Sequence, residues 1–285
     1  MNKVYACIDG LATTTAVIDW TAWSARRLSV PLELLHVLER PPEMPHVGDY
    51  SGAIGLGAQE VLLQKLSDLD EQRGKLAQEA GRQMLQNAQE RASAAGVAQV
   101  DGRMRHGELV DTLLELEPDA RLFVLGEHYH ASSPRKIHLD HHVERVIRAV
   151  KRPVLVATAE QFVAPERFVI AYDGSATARK TIEMVAASPL LRGLPALVAM
   201  AGSDTPAAQQ ALQDARQLLQ GAGFAVETTL LSGEPEQALP ALLKTQGATL
   251  LVMGAYGHSR IRHLIVGSTT TTLLRLSEVP VLILR

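Results

Sequence analysis

A chain of 285 residues with 46% hydrophobic residues is long enough for two domains with cores of their own, which excludes general disorder. Its 28 Lys and Arg stand against 31 Asp and Glu, and the formal net charge of −3 leaves no broad basic field for nucleic-acid phosphates or an anionic membrane surface. The lone cysteine, Cys7, excludes an intrachain disulfide and any cysteine-rich metal site.

In chain order, Val4 to Ile8 is a short apolar run of strand character that ends at Asp9-Gly10. Cys7 inside it is expected to be an inert strand residue rather than a redox sensor, because a sensor needs an exposed site that favours the thiolate. This opening carries no signal-peptide core, and no apolar stretch is long enough to cross a bilayer, so the cytoplasm is the expected location. A Pro- and Gly-rich stretch from Pro41 to Gly57 precedes a long predicted helix over about Gln59 to Ala95. Leu62, Leu66, Leu69, Leu76, Ala80 and Met84 repeat there at helical spacing, and the expectation is a longer covering helix laid on the sheet, a lid or partner site in the preceding loop being the alternative.

Arg105-His106-Gly107-Glu108, Phe123-Val124-Leu125-Gly126 and Arg152-Pro153-Val154-Leu155-Val156 are the next landmarks. Between the last two lies a histidine-rich segment with His128, His130, His138, His141 and His142. His138 and His142 are four apart, as a helical metal pair would be, but no cysteine or well-spaced carboxylate completes a set, so a solvated loop is the expectation and no metal site is assigned.

The second half alternates β-rich runs with helical segments, the pattern of a parallel sheet covered on both faces. Strands are predicted over Phe168 to Tyr172, Ala196 to Met200, Phe224 to Leu231, Thr249 to Met253 and Pro280 to Leu284. Helices are predicted over about Ala176 to Ser188, Pro206 to Gln220, Glu236 to Lys244, and from about Ser268 onward.

The two halves share landmarks. Asp173-Gly174 corresponds to Asp9-Gly10, Leu231-Ser232-Gly233-Glu234 to Arg105-His106-Gly107-Glu108, Met253-Gly254 to Leu125-Gly126, and Val279-Pro280-Val281 to Arg152-Pro153-Val154. Two copies of one domain, residues 1–160 and 161–285, account for this. Asp173 follows Asp9 by 164 positions while Gly233 follows Gly107 by 126, so the first copy holds about 38 extra residues, the loop and long helix.

Ligands of open parallel sheets collect at the carboxyl ends of the strands. At that end the second half has Asp173, then Gly254-Ala255-Tyr256-Gly257, nine residues, and Gly267-Ser268-Thr269. Glycine lets backbone N–H groups approach an anion, and Ser268, Thr269 and Thr270 open a helix whose free N–H groups favour phosphate. His258, Arg260, Arg262 and His263 add positive potential. In the first half Gly126 persists, but Tyr129 and Leu139 stand at the other two glycine positions and Asp140 follows, so phosphate binding is not expected there.

The order of elements, the aspartate after the first strand and the spacing G-x2-G-x9-G-[S/T] resemble the ATP-binding subgroup of the universal stress protein family, across nearly the whole chain, twice. The resemblance implies an α/β fold of two tandem open five-stranded parallel sheets, Rossmann-like and similar to the adenine-nucleotide alpha-hydrolases. It implies ATP, with Mg, as the ligand. Asp173 would lie near the adenine and ribose, Ala199 and Met200 beside the base, and Met253 ahead of the phosphate loop. Gly254, Gly257, Gly267, Ser268 and Thr269 would hold the phosphates, with His258 and Thr270 flanking them. It also implies pairing of the two halves through their fifth strands, which leaves further association into a homodimer open.

The alternatives lack their signatures. The first strand-helix turns, Asp9-Gly10-Leu11-Ala12-Thr13 and Asp173-Gly174-Ser175-Ala176-Thr177, hold no dinucleotide fingerprint. Each offers a single aspartate where a phosphorylation receiver needs clustered acids, and no G-x4-G-K-[S/T] occurs. Two functional classes remain: a stress-response regulator in which bound ATP alters conformation or partner binding, and a slow Mg-dependent ATP hydrolase. The sequence offers no dedicated base or arginine finger, which favours the regulator.

Overall fold

The computed structural model describes residues 2–39, 56–127, 141–247, 249–255 and 268–285. The first half comprises β1 (Lys3–Cys7), α1 (Thr14–Leu28), β2 (Leu32–Leu38), α2 (Leu56–Ala94), β3 (Val100–His106), α3 (Leu109–Leu116), β4 (Ala120–Gly126), α4 (His141–Ala149) and β5 (Val154–Ala157). The second comprises β6 (Arg167–Ala171), α5 (Ala176–Ala187), β7 (Ala196–Ala201), α6 (Pro206–Gly221), β8 (Val226–Leu231), α7 (Pro235–Thr245), β9 (Thr249–Gly254), α8 (Ser268–Leu276) and β10 (Val281–Leu284).

The strands form one ten-stranded sheet in the order β3-β2-β1-β4-β5-β10-β9-β6-β7-β8. Within each half all pairs are parallel, joined by helical crossovers. The halves meet where β5 and β10 run antiparallel, with Val156 opposite Val281, Leu155 opposite Leu282 and Val154 opposite Ile283. Fifth-strand pairing is therefore satisfied within the chain.

Strands such as Leu250-Leu251-Val252-Met253 are apolar on both faces because helices cover both. On one face α1, the end of α2, α5 and α6 pack through Trp20, Ala88, Ile182 and Leu219. On the other, α3, α4, α7 and α8 pack through Leu113, Ile147, Leu243 and Leu273. Both cores run unbroken across the junction.

Local chemistry sets the helix starts. Ser175 Oγ accepts a hydrogen bond from the Ala178 N–H at 3.1 Å, and Thr205 Oγ1 accepts one from Ala208 at 3.2 Å, with Pro206 in the first turn of α6. Contacts between halves go beyond the strand pair. Trp20 meets Phe162 edge-on at 4.8 Å, the Arg27 guanidinium donates to the carbonyl oxygens of Leu190 and Arg192, and Arg27 lies 5.2 Å from the centre of the Trp23 ring.

The long helix corrects one expectation. Its leucine stripe does not lie on the sheet: Leu66, Leu69 and Leu76 are 38%, 53% and 71% exposed, and Ala80 is exposed as well. Burial begins at Gly81 and continues through Leu85, Ala88 and Ala92, with Met84 partly buried. Length explains it. The 39 residues of α2 run roughly 58 Å, whereas a seven-residue strand such as β2 spans roughly 23 Å, so most of the helix has no sheet beneath it.

Candidate functional site

In the second half the strand order reverses between β6 and β9, and at such a reversal an open parallel sheet leaves a crevice at the carboxyl ends of its strands. After β6 the chain turns through Asp173, whose Oδ1 accepts a hydrogen bond from the Ser175 N–H at 2.9 Å. Gly174, at φ 72°, takes the left-handed conformation that this turn requires. The first half repeats the device: Asp9 Oδ1 accepts from the Leu11 N–H at 2.9 Å, and Gly10 has φ 81°. One task of both aspartates is thus to shape the turn that starts the next helix.

Met200 reaches this turn, with its Cε 3.7 Å from where a Cβ on Gly174 would lie. Met200 is therefore brought to the turn that Asp173 begins. Ala199 and Met253 belong to the opposite core, as strand alternation demands, so Ala199 and Met200 present their side chains to opposite faces of β7.

Gly254 ends β9. A Cβ there would come within 2.8 Å of Thr181 Oγ1 and 3.1 Å of Thr177 Cγ2, so α5 packs against this glycine. The chain continues to Ala255, whose N–H bonds to the Leu284 carbonyl at 2.8 Å. The nine-residue α8 then opens at Ser268, and its first turn includes Thr269 and Thr270. Its leading backbone N–H groups are the kind that receive anions. Gly257, His258 and Gly267 lie outside the described residues, as do His128, His130 and His138.

A residue that the motif comparison overlooked stands in the first half. Glu127 follows Gly126 at the carboxyl end of β4, in the position of Ala255, and is buried at 1% exposure, with its N–H bonded to the Ala157 carbonyl at 2.9 Å. Aligning Gly126 with Gly254 already sets Glu127 on Ala255, so the signal was available in the sequence. His142, at the start of α4, has Nδ1 3.8 Å from a Glu39 carboxylate oxygen and is about half exposed. Among the described residues no group of three or more His, Cys, Asp or Glu is arranged to hold a metal ion.

Burial, with Asp9 nearby, pushes the Cys7 thiol well above its ordinary pKa, which keeps it protonated and unreactive. Burial likewise raises Tyr172, the residue before Asp173. No helix among the described residues is long and apolar enough to cross a membrane.

The model of the Universal stress protein family matches residues 1–158 and, a second time, residues 165–285. The chain belongs to the universal stress protein family. It is 35% identical over 288 residues to the universal stress protein Slr1230 of Synechocystis sp., covering 100% of both chains. The universal stress protein Rv2005c of Mycobacterium tuberculosis is 22% identical over 312 residues, with 100% of this chain and 97% of the relative covered. Among solved structures, a universal stress protein from Archaeoglobus fulgidus superposes with a TM-score of 0.75 at 20% identity, covering 100% of this chain and 98% of that one, a likeness of fold. The family domain is thus present twice, as the internal repeat requires.

Proposed function

We propose that the second half of this tandem universal stress protein, residues 161–285, binds an adenine nucleotide, ATP with Mg, in the crevice between β6 and β9. Occupancy of that site would regulate conformation or partner binding in a cytoplasmic stress response. The observation that carries this reading is the opening of α8 at Ser268 beyond the carboxyl end of β9, beside the strand that leads to Asp173.

Main-chain amides of Ser268, Thr269 and Thr270, with those of Gly254, Gly257 and Gly267, are assigned to the polyphosphate, and His258 is assigned to the same end of the nucleotide. Asp173, Ala199, Met200 and Met253 are assigned to the nucleoside end. Magnesium would neutralise phosphate charge when bound. Residues 1–160 form a unit to whose own crevice no phosphate is assigned, because Tyr129 and Leu139 stand where the second half has Gly257 and Gly267, and Asp140 follows.

The reading is tested by releasing and identifying nucleotide from freshly purified protein, then following phosphate production. A regulator yields bound ATP with little turnover, and Gly257→Val removes the nucleotide. Protein that carries and acquires no nucleotide overturns the reading, while rapid turnover abolished by Gly257→Val replaces it with an ATP hydrolase.

A further inference from the structure

The half of α2 that extends past the sheet carries an apolar stripe with no element among the described residues to receive it. Leu66, Leu69, Arg73, Leu76 and Ala80 follow one another at alternating intervals of three and four, the spacing of a helix-pairing seam. This is a different face from the one that meets the sheet. The sheet-facing residues are Gly81, Leu85, Ala88 and Ala92, and the same face continued backward holds Ala77, Gly74, Asp70 and Ser67. Leu69 and Leu76 lie about 100° or more round the helix from that line, and the stripe reaches the packing surface only at Met84, one turn beyond Ala80. Leu69 and Leu76 are more than half exposed.

Charge along the helix is divided in two blocks. Residues 64–71 carry Lys65, Asp68, Asp70 and Glu71, one positive and three negative, a net −2. Residues 72–82 carry Arg73, Lys75, Glu79 and Arg82, three positive and one negative, a net +2. Among the described residues of one copy these groups make exposed pairs about a turn apart, such as Lys75 with Glu71 at 2.6 Å and Arg82 with Glu79 at 2.8 Å.

We propose that residues 64–82 of α2 form a homodimer contact in which two copies of the chain pair antiparallel through this stripe. An antiparallel arrangement sets the −2 block of each copy against the +2 block of the other, whereas a parallel one sets like against like. Centred near residue 71, it lays Leu66 over Leu76 of the second copy and Arg73, the charged member of the stripe, over Leu69 of the second copy, one residue from Asp70. The seam runs about 27 Å, a contact of modest size whose dimer dissociates on dilution. It leaves the strand pairing of the two halves and the crevice between β6 and β9 untouched.

Sedimentation velocity of the full chain over a range of concentrations tests this. The wild type is expected to pass from monomer to dimer as concentration rises. One variant, Asp68→Lys with Asp70→Lys and Glu71→Lys, makes both blocks positive, and another, Arg73→Glu with Lys75→Glu and Arg82→Glu, makes both negative. Each alone is expected to stay monomeric with unchanged circular dichroism, and an equimolar mixture to recover a dimer at least about tenfold tighter than either self-pairing. Leu69→Gln with Leu76→Gln should weaken the wild-type dimer without changing charge. A wild type that stays monomeric throughout overturns the proposal, including the case in which the chain's own residues 40–55 cover the leucines. So does a dimer indifferent to all three variants, or a mixture that does not associate.

Discussion

The Arg285 guanidinium donates a hydrogen bond to the Val150 carbonyl oxygen at 2.7 Å, and the same nitrogen reaches the carbonyls of Arg148 at 3.0 Å and Ile147 at 3.4 Å. A cation just after β10 thereby serves the carboxyl end of α4 in the other half, where unpaired carbonyls and the helix dipole both favour positive charge. Arg285→Ala should cost about 1–2 kcal/mol. The urea midpoint should fall with the slope unchanged, and an unmoved midpoint would contradict the cross-half role.

Gly254 is held by packing against α5. Gly254→Ala forces a methyl to within 2.8 Å of Thr181 Oγ1 and should destabilise by about 1–3 kcal/mol. Thr181→Ala removes the obstructing oxygen, which otherwise bonds to the Thr177 carbonyl at 3.1 Å. The double variant should therefore lose less than the two single losses combined, by about 0.5 kcal/mol or more. Strict additivity in denaturant titrations would show that α5 does not press on this strand end.

Alkaline pH should weaken the first half in a defined window. Burial raises Tyr5 from 10.0 to about 12, with Glu33 adding to the shift. Lys3 is raised above 10.5, chiefly by its hydrogen bond to the buried Glu33 carboxylate at 2.8 Å. In both cases the unfolded chain gives up its proton first, so stability is complete below about pH 10 and declines as pH rises toward the folded values. Thermal melts from pH 9 to about 12 should show the decline, and Tyr5→Phe should flatten it. An identical slope in Tyr5→Phe would rule out Tyr5 as its source.

Much of this architecture is legible in the sequence because it is set locally. The strand runs and helix starts of the second half lie within two residues of their predicted places, for their signals are apolar period, Ser175 and Thr205 as caps, and Pro206. The fifth-strand junction was likewise implied by the family resemblance. What escaped depends on contacts distant in the chain. Helical spacing marks Leu66, Leu69 and Leu76 as one face but carries no information on whether a sheet lies beneath it. Gly254 suited an anion-binding loop, yet only the packed fold reveals Thr181 against it. Arg27 and Arg285 look like ordinary surface cations until the other half is in place.

For the account as a whole, titration calorimetry with Mg and ATP is the most direct measurement. It should give one site per chain in the wild type, no binding in Gly257→Val at unchanged melting temperature, and full binding in Glu127→Ala. No heat with the wild type, or binding that survives Gly257→Val, would contradict the assignment of nucleotide to the second half.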